Sequence, residues 1–243
     1  MDAETLSFAL AASAGLCAYG VRGRSASLFG PSIWQGAGTR PSLALTFDDG
    51  PSECTEELLD ALHTLKVPAT FFQCGANVLR LPQVARAVVA EGHEVGNHGH
   101  THAPLYLRSG RFIAEELNRA QDAIGEVTGV RATLFRAPFG ARWFGLRRAQ
   151  KKLGLMGVMW TVIGLDWRLP AAAIAARVMD NVHSGGIVCL HDGHETRVKP
   201  NRRPTIEAVR RLVPELRDRG FDFETVSDLC RPEWPDEAAA AAL

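Results

Sequence analysis

At 243 residues with 46% hydrophobic content, the chain can bury one sizeable core. Lys plus Arg and Asp plus Glu balance at 27 each, which excludes a global field drawing the protein to nucleic acid and favours a neutral or mixed substrate. Five cysteines (Cys17, Cys54, Cys74, Cys189 and Cys230) show no CxxC spacing, so neither a zinc ribbon nor a complete disulfide framework is expected.

Leu6 to Tyr19 reads LSFALAASAGLCAY, an apolar, small-residue run that is short for a membrane span. Asp2 and Glu4 precede it where an export signal carries positive charge. It reads as a truncated membrane anchor or as a helix lying on the domain. Residues 20–41, with several Gly, Ser and Arg, read as a linker or wrapping arm. The organisation expected is therefore an N-terminal arm or short membrane-associated segment over 1–41, one main domain over 42–230, and a fraying tail over 231–243 that ends in an alanine-rich run.

From residue 42 onward, short apolar runs alternate with amphipathic stretches, the pattern of an α/β domain with a largely parallel sheet. Strands are predicted at Leu43 to Phe47, Ala69 to Cys74, Glu94 to Gly96, Thr133 to Phe135, Gly157 to Trp160, Ile187 to Leu190 and Phe221 to Thr225. Helices are predicted at Glu56 to Leu65, Gln83 to Glu91, Phe112 to Thr128, Leu146 to Leu153, Ala171 to Val182 and Thr205 to Arg219, each with apolar residues at three- and four-residue spacing. About seven alternations favour a barrel over an open doubly wound sheet, and the first strand lacks the GxGxxG turn of a dinucleotide fold.

In such barrels reactive groups sit where strands end. Asp48 and Asp49 close the run LALTFDDGP; Asn97-His98-Gly99-His100-Thr101-His102 follows HEVG; Arg136-Ala137-Pro138-Phe139-Gly140 follows TLF; Asp166-Trp167 lies near the fifth strand; His191-Asp192 follows GGIVCL. Turn formation or helix capping would also account for Asp-Asp-Gly-Pro. His98 and His102, four apart, can aim two imidazoles at one point, and a carboxylate from another strand would complete a two-histidine, one-carboxylate metal set. A solvated histidine-rich loop is the alternative. His100, at two-residue spacing, should point away.

A metal-activated water needs a base, which two adjacent carboxylates supply: one binds the ion and its neighbour reaches the water. Arg136 suits the task of keeping that base ionised and aimed, against the alternative of an ordinary surface arginine. Amide cleavage also needs an acid for the departing nitrogen. His191 fits, with Asp166 to raise its proton affinity, against the alternative of a satisfied core histidine.

TFDDGP, NHGHTH, RAPFG, DW and CLHD, in that order, resemble the five motifs of the polysaccharide deacetylases, the nodulation-protein-B-like domain of family-4 carbohydrate esterases. The resemblance runs from about Ser42 to Thr225. It implies a distorted (β/α) barrel holding one divalent metal ion, zinc foremost, with cobalt, nickel or manganese as substitutes. The activity implied is removal of N-acetyl groups from N-acetylglucosamine-containing glycans of chitin or peptidoglycan type. O-acetyl esterase action on xylan-type sugars and a catalytically inactive carbohydrate-binding relative are the alternatives.

By motif position, Asp48 is implied as the base, with Asp49, His98 and His102 as metal ligands. Arg136 would orient the base, the backbone N–H of Phe139 would meet the oxyanion, and Asp166 would tune the acid His191. Trp167 would wall the sugar groove, and Cys189 would lie near the pocket for the acetyl methyl. Family members often place Tyr at Phe139 and Leu at Cys189, so acyl preference is the property these departures touch. An acetylated glycan is the implied partner, with membrane association resting on the N-terminal segment alone, and the family favours an extracytoplasmic or membrane-associated setting.

Overall fold

The structure, a computed structural model, describes residues 3–230. The tail expected over 231–243 lies outside the described residues. Nine strands form one sheet: β1 Ser32–Ile33, β2 Ser42–Asp48, β3 Thr70–Gln73, β4 Glu94–Asn97, β5 Leu134–Phe135, β6 Met156–Val158, β7 Val162–Ile163, β8 Gly186–His191 and β9 Asp222–Phe223. They run in the order β1-β6-β5-β4-β3-β2-β8-β7, all pairs parallel, with β9 joined beside the start of β2. The two ends of this path, β1 and β7, do not pair with each other, so the barrel is distorted and open on one side.

All seven predicted strands are present. The two additional ones, β1 and β7, have two residues each, too short for any period-two signal. The helices are α1 Ala3–Arg22, α2 Thr55–Leu65, α3 Gly75–Arg80, α4 Pro82–Ala90, α5 Gly110–Thr128, α6 Leu146–Leu153, α7 Ala171–Asn181, α8 Arg203–Asp218 and α9 Val226–Cys230. The six predicted helices correspond to α2 and α4 to α8 within two residues at each end.

Side-chain alternation on β2 sorts the core. Leu43, Leu45 and Phe47 pack outward with Leu58, Leu62, Ile206, Val209 and Leu212 of α2 and α8. Ala44 faces the interior with Phe72, Leu134, Val158 and Ile187, and Val226 and Leu229 of α9 join that inner cluster. A parallel strand covered on both faces must be apolar almost throughout, and all seven residues of β2 are buried. Each of its large side chains contributes roughly 1.5–3 kcal/mol of transfer free energy by leaving water. The polar residues that remain on the inner row, Thr46 and Asp48, therefore need partners inside the barrel.

Helix α1 stands apart from this core. Leu6, Phe8, Leu10 and Leu16 are exposed along it among the described residues, and its C-terminal end docks where Gly20 is buried and a Cβ would press on Leu28 and Phe29. The Arg142 N–H donates to the Val21 carbonyl at 3.0 Å, tying that end to the loop after β5. No described helix is long and apolar enough to cross a membrane.

Candidate active site

Parallel pairing sets the chemistry at one edge. In register, Asp48 of β2 is the partner of His191 on β8, and Thr46 is the partner of Cys189. On the other flank Gln73 of β3 pairs with Asn97 of β4, one residue before His98. The strand ends thus open into a cavity of about 340 Å³ lined by Asp48, Asp49, His98, His102, Cys189 and His191 among others.

Immediately after β2 the chain turns sharply. Asp49 has φ 74°, and Gly50 sits so close to the Asp192 carboxylate that a Cβ would collide with it. His102 and Phe139 also have φ 58°. Three non-glycine residues in the left-handed region cost about 1–3 kcal/mol each, a burden concentrated here by the surrounding contacts. At Asp49 those contacts are the Asn77 Nδ2 donating to its carbonyl at 2.7 Å and the Glu195 N–H donating to Oδ2 at 3.0 Å.

The result is that Asp49 Oδ1 faces His98 Nε2 at 3.3 Å and His102 Nε2 at 3.0 Å, with all three residues buried. None of these approaches is a hydrogen bond, and Oδ1 has no other partner. His98 Nδ1 lies 2.7 Å from the Arg136 carbonyl, which can only accept, so Nδ1 carries the hydrogen and a neutral ring turns the Nε2 lone pair toward the carboxylate. Lone pairs converging in a buried pocket are what a cation resolves. One nitrogen or oxygen from each residue lies within 4.8 Å of the others, a donor set suited to zinc or a similar divalent ion with a position left open.

Asp48 has a different environment. Its Oδ1 accepts from Arg136 Nη1 at 2.6 Å, and its Oδ2 accepts from the Cys189 thiol at 3.4 Å. Arg136 is 0% exposed yet fully engaged: Nη1 also donates to Thr46 Oγ1, Nε to the Val158 carbonyl and Nη2 to the Met159 carbonyl, with Phe72 4.1 Å from the guanidinium. A buried guanidinium paired and bonded in this way fixes the position of the carboxylate. At Cys189, burial first and then the nearby Asp48 carboxylate push the thiol well above its usual range.

His191 is held by Asp166, whose Oδ1 accepts from Nδ1 at 2.8 Å and whose Oδ2 accepts from the His191 N–H at 2.9 Å and from Thr205 Oγ1 at 2.7 Å. Burial lowers the affinity of His191 for its proton, but the Asp166 carboxylate outweighs it and raises the pKa to about 9. Asp166 itself, raised by burial, is brought below its ordinary value by His191 and Thr205. Trp167 packs edge-on against His191 with ring centroids 5.2 Å apart, and Phe139 packs likewise on His102 at 4.6 Å. Both remain about half exposed and form walls of the cavity.

Every residue singled out in the sequence therefore falls in one cavity or on its immediate support. His100 turns away toward Gly75 and Ala120.

The polysaccharide deacetylase family model matches residues 35–158. Chitooligosaccharide deacetylase of Sinorhizobium fredii is 39% identical over 189 residues, covering 74% of this chain and 88% of the relative. The chain belongs to the polysaccharide deacetylase family.

Peptidoglycan-N-acetylglucosamine deacetylase of Bacillus cereus is 34% identical, covering 82% of this chain and 92% of its own. Among solved structures, the Bc1960 peptidoglycan N-acetylglucosamine deacetylase superposes with a TM-score of 0.78 at 25% identity, over 82% of this chain and 92% of that one. A CE4 family pseudoenzyme from Bacillus anthracis superposes nearly as well, with a TM-score of 0.75 at 26% identity over 83% of this chain and 69% of that one. The fold is thus shared with a pseudoenzyme, and the residues of the site decide what this family member can do.

Several supporting residues have no motif to announce them. Thr46 lies two before Asp48 and so shares its face of β2, a signal that strand periodicity offers. Glu116 on α5 accepts from the His100 and Thr101 N–H groups at 3.1 and 2.8 Å and from Thr101 Oγ1, clamping the loop between the two histidines. Arg22, at the end of α1, donates to the Phe139 carbonyl at 3.1 Å and lines the cavity from outside the segment that the family model matches. Neither Glu116 nor Arg22 is distinguishable in sequence from its neighbours.

Proposed function

We propose that this protein is a metal-dependent deacetylase that hydrolyses the N-acetyl groups of N-acetylglucosamine units in chitin, chitooligosaccharide or peptidoglycan-type glycans, releasing acetate and free amine. The observation that carries this reading is one arrangement: Asp48, anchored by Arg136, standing beside the converging Asp49, His98 and His102 set and in strand register with His191.

A divalent cation held by Asp49, His98 and His102 supplies Lewis acidity toward the acetyl carbonyl and toward water. Asp48 acts as base and takes a proton from the attacking water at Oδ2, the oxygen that Arg136 leaves free. Arg136 keeps that carboxylate ionised and aimed. The Phe139 N–H faces the oxygen on which negative charge develops, a stabilisation worth about 2.7–4 kcal/mol for a well-placed donor. His191, its Nδ1–H fixed on Asp166, delivers the proton at Nε2 to the departing nitrogen as the C–N bond breaks. Trp167 and Phe139 offer apolar faces for sugar rings, and Cys189 borders the acetyl methyl.

The relatives named above as chitooligosaccharide and peptidoglycan deacetylases support the glycan class. The test is acetate release from chitooligosaccharides and from N-acetylated peptidoglycan fragments, before and after chelation and after readdition of zinc. Turnover that persists at full rate once the protein is metal-free would overturn the mechanism.

A further inference from the structure

A second convergence of ligand atoms lies beside the first. Asp48, Cys189 and His191 each bring one such atom within 4.8 Å of the others, and all three line the cavity. They stand on the inner row of adjacent strands, where Thr46 pairs with Cys189 and Asp48 with His191. Each keeps one coordinating atom open toward the cavity. Arg136 occupies Asp48 Oδ1 and leaves Oδ2 to the thiol alone; Asp166 occupies His191 Nδ1 and leaves Nε2; Cys189 Sγ has only the contact with Oδ2.

Carboxylate oxygen, imidazole nitrogen and cysteine sulfur together favour a borderline or soft cation over magnesium or calcium, which prefer oxygen alone. Asp48 Oδ2 is 4.0 Å from His98 Nε2, so an ion here would neighbour one in the Asp49 set, as in two-metal sites whose ions lie about 3.5–4 Å apart. The Asp48, Asp49 and Asp166 carboxylates stand at the two ligand sets, offset by the Arg136 guanidinium and by Arg22 and Arg202 at the cavity wall.

We propose that Asp48, Cys189 and His191 form a second cation site, taking a thiophilic divalent ion such as cadmium or surplus zinc, whose occupation stops deacetylation. Binding forms metal–sulfur and metal–nitrogen bonds, breaks the Cys189 S–H bond and the His191 Nε2–H bond, and sends both protons to solvent, with no change of oxidation state. The inhibitory half rests on the function proposed above, since the ion occupies Asp48 Oδ2 and His191 Nε2 together. The binding half does not.

The experiment uses the full chain loaded with one equivalent of zinc and titrated with cadmium chloride. Total metal after equilibrium dialysis, the ultraviolet thiolate-to-cadmium charge-transfer band and acetate release are followed in parallel. The wild type should take a second equivalent, develop the band, and lose activity in step with it, while magnesium does neither. In C189A, and in C189S as the variant that keeps the side-chain volume, the second equivalent and the added band should vanish. Inhibition, measured against each variant's own rate, should need at least the roughly 10- to 100-fold more cadmium that losing even an outer partner of a metal ligand costs. A second equivalent that survives in both variants, or a band that persists without Cys189, overturns the site. Binding with an undiminished acetate rate overturns the inhibition while leaving the site. Failure of every glycan to release acetate counts against the function proposed above, and stoichiometry and band still decide the site.

Discussion

Arg136 and His98 are joined through the arginine's carbonyl oxygen, which accepts from His98 Nδ1 at 2.7 Å, while the guanidinium of the same residue holds Asp48 at 2.6 Å. One buried residue therefore sets the tautomer of His98, a proposed metal ligand, with its backbone and the aim of Asp48, the proposed base, with its side chain. Substitutions at Arg136 should act on the side-chain half alone. R136A strands Asp48 in the interior, and breaking a buried pair by removing one partner costs about 3–5 kcal/mol. Chemical denaturation should show that loss, and zinc affinity in the folded fraction should fall less than kcat does. A variant as stable as wild type would contradict the buried pairing.

Asp48→Asn keeps the shape of the base and removes its capacity to accept a proton. Acetate release should fall by about 10²- to 10⁴-fold, the usual contribution of a positioned base, while zinc stoichiometry stays at one. Loss of zinc together with activity would place Asp48 among the ligands instead.

H98A and H102A each remove one of three ligands and should lose zinc under dialysis. In the wild type, zinc at 100 times its dissociation constant should stabilise the fold by about 2.7 kcal/mol, and the rise in Tm should disappear in both variants. Equal zinc-dependent stabilisation in wild type and variants would put the ion elsewhere.

The acid must carry a proton to work. His191 is raised from its ordinary 6.5 to about 9, burial opposing and Asp166 outweighing it, so the folded protein binds this proton more tightly than the unfolded chain does. The pair's contribution to stability is complete below about pH 6.5 and is lost as pH rises through about 9. Turnover of N-acetyl substrates should decline on the same alkaline limb, and D166N should move that limb toward neutrality. A pH–rate profile unchanged in D166N would remove Asp166 from this role. H191A should also hurt N-acetyl more than O-acetyl substrates, since an alkoxide leaves with less help than an amine nitrogen.

Glu116 touches no ligand atom but fixes the loop between His98 and His102 through three hydrogen bonds. E116A should weaken zinc binding by about 10- to 100-fold, read by competition with a chelator, and saturating zinc should restore much of the rate. A variant with unaltered zinc affinity would reduce Glu116 to a structural contact.

The strands that carry the motifs were legible because each is a buried apolar run ending on charge, as β2 ends on Asp48. Pairs separated by two or four residues, such as His98 and His102, were legible for the same local reason. Thr46 and Cys189 follow from period two once β2 and β8 are placed. Strands β1 and β7 were not legible, being shorter than one period of any pattern. Glu116 and Thr205 sit on the inner faces of helices α5 and α8, where periodicity marks burial but not which loop or carboxylate a polar side chain will meet. Arg22 reaches the cavity by a contact 117 residues away along the chain, a separation that no local pattern encodes. The segment over Leu6 to Tyr19 was read as an anchor or a docked helix, and α1 is a helix that docks only at its end.

Because Asp48 and His191 are cross-strand partners on β2 and β8, the spacing between the proposed proton acceptor and proton donor is fixed by backbone hydrogen bonds in the interior of the sheet. Loops around the rim can lengthen, shorten or change charge without altering that gauge. A redesign aimed at a different sugar chain can therefore rebuild the rim while leaving the reaction centre untouched, whereas a slip of one residue between these two strands would abolish turnover however well the glycan still bound.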